Sequence, residues 1–226
     1  MGKVRVKICC IKNPEEMQLA IELGADALGL VGAMPSGPGV IDDQMAAQIA
    51  GMASPPISTF LLTSETTGRG IKNHVDQVHP STVQIVSHID VAAYAELDQH
   101  LPRHHVKRVQ VIHVEDDQAL DLIDLYAPHV DAFLLDSGKP SATTPELGGT
   151  GRVHDWDISA EFVRRSPLPV FLAGGLKPEN VGEAIRKVRP FGLDLCSGVR
   201  TDDQLDRQKL TAFMDAVRAA EAAEMG

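Results

Sequence analysis

The sequence predicts a closed (β/α)8 barrel, an α/β fold in which eight parallel strands alternate with eight helices, as one domain over residues 1–226. Three observations support this fold class. Eight short β-branched segments recur, each is followed by a stretch with helical spacing, and polar or glycine residues lie at the ends of several different strands. An open doubly wound sheet is the main alternative, but no GxGxxG follows the first strand. Functional residues distributed around a ring favour the barrel.

The predicted strands are short and aliphatic, which fits an aromatic content of only 4%. A strand is expected in each of eight segments: VRVKICCI (4–11), ADALGLVG (25–32), ISTFLLTS (57–64), TVQIVS (82–87), VKRVQVIHV (106–114), VDAFLLDS (130–137), PVFLAGG (169–175) and GLDLCSGV (192–199).

The segments between the strands predict helices. The first is the best marked, with Asn13 as its cap, Pro14 in the first turn and Gly24 as its stop. The third, TGRGIKNHVDQVH (67–79), is the weakest because two glycines lie near its start. The other helices are expected within residues 41–53, 90–101, 116–128, 158–167, 178–190 and 203–224.

Composition excludes several classes of protein. The net charge of −10 argues against nucleic acid or an anionic membrane as partner, and no apolar run reaches the ~18 residues that a membrane span needs. Cys9, Cys10 and Cys196 form neither a disulfide framework nor a zinc spacing, and no His, Asp or Glu grouping suggests a metal site. We therefore expect a reduced, soluble, cytoplasmic protein, as either a monomer or a homodimer.

The first strand carries a candidate for chemistry. Alternation places Lys7 and Cys9 on one face, which we expect to point into the barrel, whereas Cys10 is expected to pack outside. Cys9 is either an inert buried side chain or a base whose pKa is lowered by Lys7. Because strands 1 and 8 are neighbours in a closed barrel, we also expect Lys7 to pair with Asp194.

Three further strand ends attract attention. Asp136 ends strand 6, where a carboxylate is ordinarily a turn residue or a helix cap. Strand 7 ends in Gly174-Gly175 before Pro178, and strand 8 ends in Ser197-Gly198 before TDDQ, which we expect to cap the last helix. Adjacent ends of this kind match the phosphate site that barrels often form after strands 7 and 8.

Together, the segments VKICCIKNPEEM, ADALGLV, VDAFLLD, GGTGRVHDW and PVFLAGGLKPENVGEAIRKVRPFGLDLCSGV resemble the phosphoribosylanthranilate isomerase family of tryptophan biosynthesis. The resemblance runs in order along nearly the whole chain. It implies a (β/α)8 barrel that performs an Amadori rearrangement of a phosphorylated sugar substrate without metal or organic cofactor.

The resemblance also implies roles for individual residues. Cys9 corresponds to the general base that removes the proton from C2′ of the sugar, and Asp136 to the general acid that protonates the ribose ring oxygen. Gln84 is retained from the strand-4 motif. The phosphate loops correspond to Gly148-Gly149-Thr150-Gly151, Gly174-Gly175 and Ser197-Gly198.

The chain departs from the family pattern at four places. Pro38 or Gly39 stands where an arginine faces the anthranilate carboxylate, and Val86 stands where a histidine is expected. Cys10 replaces a glycine and Arg200 replaces an acid.

These departures leave three interpretations open. Another cation, with Lys12, Arg69 and His88 as candidates, binds the carboxylate, or the substrate is a different phosphorylated sugar adduct. A barrel that only binds sugar phosphates is the third, although such a protein needs neither Cys9 nor Asp136.

Overall fold

The computed structural model describes residues 2–35, 37–138 and 155–225. Its centre is a closed barrel of eight parallel strands in sequence order, as predicted, with β1 paired to β8. The strands are β1 (Arg5–Ile8), β2 (Ala27–Val31), β3 (Ser58–Thr63), β4 (Thr82–Ile85), β5 (Lys107–His113), β6 (Ala132–Asp136), β7 (Val170–Leu172) and β8 (Gly192–Leu195). Each lies inside its predicted segment.

Helices follow the strands and surround the barrel. They are α1 (Pro14–Glu22), α2 (Asp43–Met52), α3 (Gly68–Val78), α4 (Val91–His100), α5 (Leu122–Tyr126), α6 (Trp156–Arg165), α7 (Val181–Val188) and α8 (Arg207–Met225). The predicted Asn13 cap is confirmed, because its side chain accepts a hydrogen bond from the Glu16 amide at 2.8 Å. The glycine-containing α3 also forms, and Thr67 caps it.

The entry to α8 differs from the prediction. Asp203 does not cap the helix, because Arg200–Thr201 (β9) and Gln204–Leu205 (β10) form a small antiparallel hairpin. Asp202 and Asp203 form its turn with positive φ angles. Asp206 caps the helix instead, since its carboxylate accepts from the amides of Gln208 and Lys209.

The apolar side chains form two clusters, as strand alternation requires. The larger one packs the barrel against the helices and includes Ile8, Leu28 and Phe162. The smaller one fills the barrel interior and includes Phe60, Val109, Val111, Leu134 and Phe171. A filled interior leaves the open space at the carboxyl ends of the strands.

Candidate active site

An open cavity, whose empty volume of about 800 Å³ includes solvent at its mouth, lies at the carboxyl ends of the strands. Four predicted features line it in consecutive order around the barrel: Asp136 at the end of β6, Gly174-Gly175 after β7, Ser197-Gly198 after β8, and Cys9 after β1. The structure therefore brings the predicted acid, the predicted thiol and two glycine-rich segments to one site. Gly149 and Gly151, the other predicted phosphate contacts, lie outside the described residues.

Cys9 is held in the cavity by the backbone and by a glycine. Its amide donates to the Leu195 carbonyl at 2.8 Å, and its thiol is free and buried. A Cβ at Gly29 would lie 2.7 Å from the Cys9 Sγ and 3.0 Å from the Lys7 Nζ. Only glycine therefore leaves room for both side chains.

The expected ion pair of Lys7 and Asp194 is confirmed. The two residues are in register on β1 and β8, and the Lys7 Nζ lies 2.8 Å from the Asp194 Oδ1. The Lys7 side chain is 0% exposed. Burial alone would lower the pKa of Lys7, but Asp194 and Cys9 outweigh it, so the Lys7 pKa is raised and the ammonium keeps its charge.

Burial dominates the titration of both candidate catalytic groups. It raises the pKa of Cys9 to about 11, opposed by Lys7 and reinforced by Asp194. Burial also raises the pKa of Asp136, although its Oδ1 accepts from the Ser137 amide at 2.7 Å. Burial therefore favours a protonated carboxyl at Asp136. It also disfavours the thiolate of Cys9, and the charge of Lys7 is the main effect that lowers the Cys9 pKa in opposition.

The two glycine-rich segments bring backbone close to the cavity. Gly174 and Gly175 have φ angles of 84° and 62°, a region that glycine adopts without strain. A Cβ at Gly198 would lie 2.5 Å from the Leu176 carbonyl oxygen, so Gly198 allows the two segments to touch. The Asn180 amide holds the first segment by donating to the Gly175 carbonyl at 3.0 Å.

Gln84 lines the cavity and offers it an acceptor. Its Oε1 is buried, and no donor within the described residues reaches it. Because a buried polar atom without a partner costs free energy, this oxygen is suited to accept from a ligand.

One wall of the cavity is apolar. It consists of Val31, Met34, Leu62, Val86 and Val111. None of the predicted carboxylate partners lines it: the Lys12 Nζ pairs with Asp203 at 2.6 Å, Arg69 lies near Glu96, and His88 packs against other rings.

Two expectations about Cys10 were wrong. Cys10 does not pack outside the barrel, and the cysteines are not all free, because Cys10 and Cys196 form a disulfide with a Cα–Cα distance of 6.0 Å. Both cysteines line the cavity. The physical reason is that β1 ends at Ile8 and Cys10 has a φ of 64°, so strand alternation no longer applies there.

Arg200 links two segments of the chain, a structural role that the sequence alone did not predict. Its guanidinium donates to both carboxylate oxygens of Glu16, at 2.9 and 2.8 Å, and to the Cys10 carbonyl. The arginine and the disulfide thus both join the chain after β1 to the chain after β8.

The fold and the site define a (β/α)8-barrel enzyme whose polar residues lie at the carboxyl ends of the strands. Within the part of the chain that is described, no helix is long and apolar enough to cross a membrane. No group of three His, Cys, Asp or Glu residues in the same part suits a metal ion.

The comparisons with known proteins identify the family. The model of N-(5′-phosphoribosyl)anthranilate (PRA) isomerase matches residues 6–216, and the chain belongs to this family. N-(5′-phosphoribosyl)anthranilate isomerase 2 of Methanosarcina mazei is 36% identical over 93% of this chain and 92% of its own. The isomerase of Methanopyrus kandleri is 36% identical over 96% and 99%.

Solved structures agree with the fold. The phosphoribosyl anthranilate isomerase of Thermococcus kodakaraensis has a TM-score of 0.76 at 33% identity, covering 95% of this chain and 99% of that one. Another isomerase structure, solved with reduced 1-(o-carboxyphenylamino)-1-deoxyribulose 5-phosphate, has a TM-score of 0.77 at 24% identity and covers 96% and 99%.

Proposed function

We propose that the protein converts N-(5′-phosphoribosyl)anthranilate into 1-(o-carboxyphenylamino)-1-deoxyribulose 5-phosphate, a step of tryptophan biosynthesis. We also propose that it acts in the cytoplasm and that residues 1–226 form a single domain. Family membership supports this activity. The observation that carries it is the arrangement of the cavity, in which Cys9 and Asp136 flank the glycine-rich ends of β7 and β8. A sugar phosphate bound by those backbone amides would have its ribose between the thiol and the carboxyl.

Asp136 is the proposed general acid. Its protonated carboxyl gives a proton to the ribose ring oxygen while the C1′–O bond breaks, and the lone pair of the aryl amine forms a C=N bond at C1′. The raised pKa of Asp136, due first to burial, supports this role because it keeps the proton available.

Cys9 is the proposed general base. Its thiolate takes the C2′ proton from the open-chain iminium, which becomes an enolamine. C1′ then gains a proton while the C2′ hydroxyl loses one, and the ketone forms. Asp136 has given one proton and Cys9 has taken one, so the reaction is a net isomerisation that needs only proton transfers. Lys7 favours the thiolate, but burial outweighs it, so the pKa of Cys9 is raised to about 11 and the base is the small ionised fraction of the thiol.

The second candidate is the same rearrangement on an adduct without a carboxylate. The observation that favours it is the apolar wall at Val86 and Val111, together with the absence of a free cation among the described residues that line the cavity. The proton-transfer chemistry would be unchanged, because only the aromatic substituent differs.

A fluorescence assay tests both candidates. We expect freshly made phosphoribosylanthranilate to lose its fluorescence with the wild-type protein, and Cys9→Ser and Asp136→Asn each to lower kcat by about 10²–10⁴-fold. The exposed His105→Gln serves as control and should keep wild-type activity. Turnover of the aniline adduct but not of the anthranilate adduct would select the second candidate. Full activity in both site variants would refute the mechanism.

A further inference from the structure

A disulfide forms part of the wall of the proposed active site. Cys10 follows β1 and Cys196 follows β8, and both line the cavity that Cys9 and Asp136 also line. Cys10 comes directly after the proposed base, and Cys196 comes directly before Ser197-Gly198. A change in this one bond therefore acts on the thiol side and on the phosphate side of the site.

The disulfide is not the only link between the chain after β1 and the chain after β8. The Cys9 amide donates to the Leu195 carbonyl at 2.8 Å. The buried Arg200 guanidinium donates to the Cys10 carbonyl and to both carboxylate oxygens of Glu16. Because these contacts use no sulfur atom, reduction of the disulfide leaves them in place. We therefore expect the barrel to stay folded in the reduced state and the change to be local.

The chain after β2 offers Cys10 a second partner. The Cys10 Sγ lies 3.6 Å from the Pro38 carbonyl oxygen, which is within reach of a thiol hydrogen bond. Gly39 permits this approach, since a Cβ there would lie 3.0 Å from both the Cα and the Sγ of Cys10. Cys10 thus has two alternative partners: Cys196 when oxidised, and the Pro38 carbonyl when it is a thiol. Pro38 itself lines the cavity, so the choice of partner affects the shape of the site.

The two cysteines differ in exposure. Cys10 is only 4% exposed, whereas Cys196 is half-buried. A thiol that enters the open cavity therefore reaches Cys196 first. Disulfides are rare in a reducing cytoplasm, and those that form there are usually transient or redox-sensing. With the cytoplasmic location proposed above, this bond is accessible to cellular thiols.

We propose that the Cys10–Cys196 disulfide is a redox-sensitive modification site that adjusts ligand binding and turnover in the cavity, with dithiol reductants as its reactants. This inference rests on the proposed isomerase function. A reductant thiolate attacks the Cys196 Sγ, the S–S bond breaks, and Cys10 leaves as a thiolate that takes up a proton. The second thiol of the reductant then attacks the reductant's own sulfur in the mixed disulfide, which releases the Cys196 thiol. The protein gains two electrons and two protons, and the reductant becomes a disulfide.

Reduction is expected to lower activity. Without the bond, Cys196 no longer holds the start of Ser197-Gly198 against the chain after β1. The backbone amides that would bind the phosphate are then less well positioned. Because a misplacement of about 1 Å can cost about a hundredfold in rate, we expect a partial loss of positioning to lower kcat/KM about tenfold.

The first test measures the bond and does not depend on turnover. Wild-type protein is equilibrated with dithiothreitol at varied ratios of reduced to oxidised form, quenched in acid, unfolded, alkylated with a maleimide and weighed by intact mass spectrometry. Oxidised protein should react at Cys9 alone, and reduced protein at all three cysteines. Three reactive thiols at every ratio, or one thiol in excess reductant, would overturn the proposal.

The second test measures kcat/KM for phosphoribosylanthranilate in the same samples. We expect kcat/KM to follow the disulfide fraction, to fall about tenfold on full reduction and to recover on reoxidation. Cys10→Ser and Cys196→Ser are matched variants, since each lacks the bond but keeps a different sulfur. Both should have the kcat/KM of the reduced wild type at every ratio. Equal kcat/KM in the oxidised and reduced wild type, or a response to dithiothreitol in either variant, would overturn the proposal.

A binding measurement separates this inference from the proposed function. If the protein does not turn over phosphoribosylanthranilate, the proposed activity is refuted, and the affinity for inorganic phosphate decides the role of the disulfide. Calorimetry should then show about tenfold tighter binding by the oxidised protein, and equal affinities in the two states would refute the redox role. Equal turnover in the two states would refute the redox role alone.

Discussion

Breaking the buried ion pair at the base of the site is expected to cost more than removing it altogether. In Lys7→Met the Asp194 carboxylate stays in the barrel without its cation, and in Asp194→Leu the ammonium stays without its anion. Both members are almost fully buried, so each single change is expected to lower the free energy of unfolding by about 3–5 kcal/mol. The double variant Lys7→Met/Asp194→Leu leaves no buried charge and is expected to lie within about 2 kcal/mol of the wild type.

Urea denaturation of the four proteins, with the disulfide kept intact, measures this cycle. In a separate thermal scan, each single change should lower the melting temperature of a chain of this size by roughly 6–20 °C, at about 2–4 °C per kcal/mol. Arg207→Met removes a comparable contact with Glu22 at the surface and should leave the midpoint unchanged. Because the two single losses sum to at least about 6 kcal/mol and the double variant loses at most about 2, the cycle should give a coupling energy of at least about 4 kcal/mol.

Additive single changes would refute the reasoning, because they would mean that neither charge becomes unpaired by the loss of the other.

The pH dependence of the free energy of unfolding offers a second check. The pKa of Lys7 is raised above its unfolded value, so the stabilisation by this group is complete below about pH 10.5. It should be lost only as the pH rises through the folded pKa. A loss of this contribution near neutral pH would contradict the assignment.

Three further predictions concern the cysteines and Gly29. Alkylation of Cys9 by iodoacetamide should accelerate about tenfold per pH unit between pH 7 and 10, because its pKa is raised to about 11; a plateau near pH 8 would refute this. Gly29→Ala should lower kcat, because the new Cβ would lie 2.7 Å from the Cys9 Sγ and 2.9 Å from the Cys9 Cα and must displace that residue; circular dichroism checks the fold, and wild-type kcat would show that β2 yields instead. Cys10→Gly and Cys10→Ser both abolish the disulfide, but only glycine adopts the positive φ without strain. The free energy of unfolding in urea should therefore be about 1 kcal/mol higher for Cys10→Gly than for Cys10→Ser, and equal values would exclude strain at Cys10.

Periodicity was sufficient to predict the strands, and the polar and glycine residues at several strand ends favoured a closed barrel over an open sheet. Each aliphatic segment of about six to nine residues became a strand because its side chains are buried on both faces, against helices outside and against layered side chains inside. The same alternation placed Lys7 inside the barrel, and ring closure brought it to Asp194. Such inferences succeed where the backbone is regular, since the direction of a side chain then follows from its position.

The predictions from the sequence were wrong where the backbone is irregular. Cys10 lies two residues beyond β1 in a left-handed conformation, and the Asp202–Asp203 turn also depends on positive φ angles in residues other than glycine. Propensity disfavours these conformations, so only the tertiary contacts reveal them. Gly29 did leave a signal, because a glycine inside a strand often marks a close approach, but its partner Cys9 lies on another strand and is invisible in the linear pattern.

His113 shows a different limit. Alternation along β5 allows it to face the barrel interior, but the sequence alone does not show which residues it contacts there. Its surroundings depend on the register of β5 with β6 and on the carbonyl oxygen of Val86, which lies 2.9 Å from the Nε2 of the ring. Register is set by the packing of the whole barrel and cannot be read from one strand.

The four departures from the family pattern separate into two groups once their contacts are known. Cys10 and Arg200 act together, since the arginine donates to the Cys10 carbonyl while the disulfide joins Cys10 to Cys196. They brace the chain after β1 against the chain after β8, which supports the position of Cys9 rather than the choice of aromatic group. Pro38 and Val86 line the cavity, as Cys10 does, but they belong neither to the disulfide nor to the contacts of Arg200, and we expect them to bear on the aromatic substituent of the substrate. Substrate specificity should therefore respond to substitutions at Pro38 and Val86, whereas loss of the brace should weaken turnover of every adduct alike.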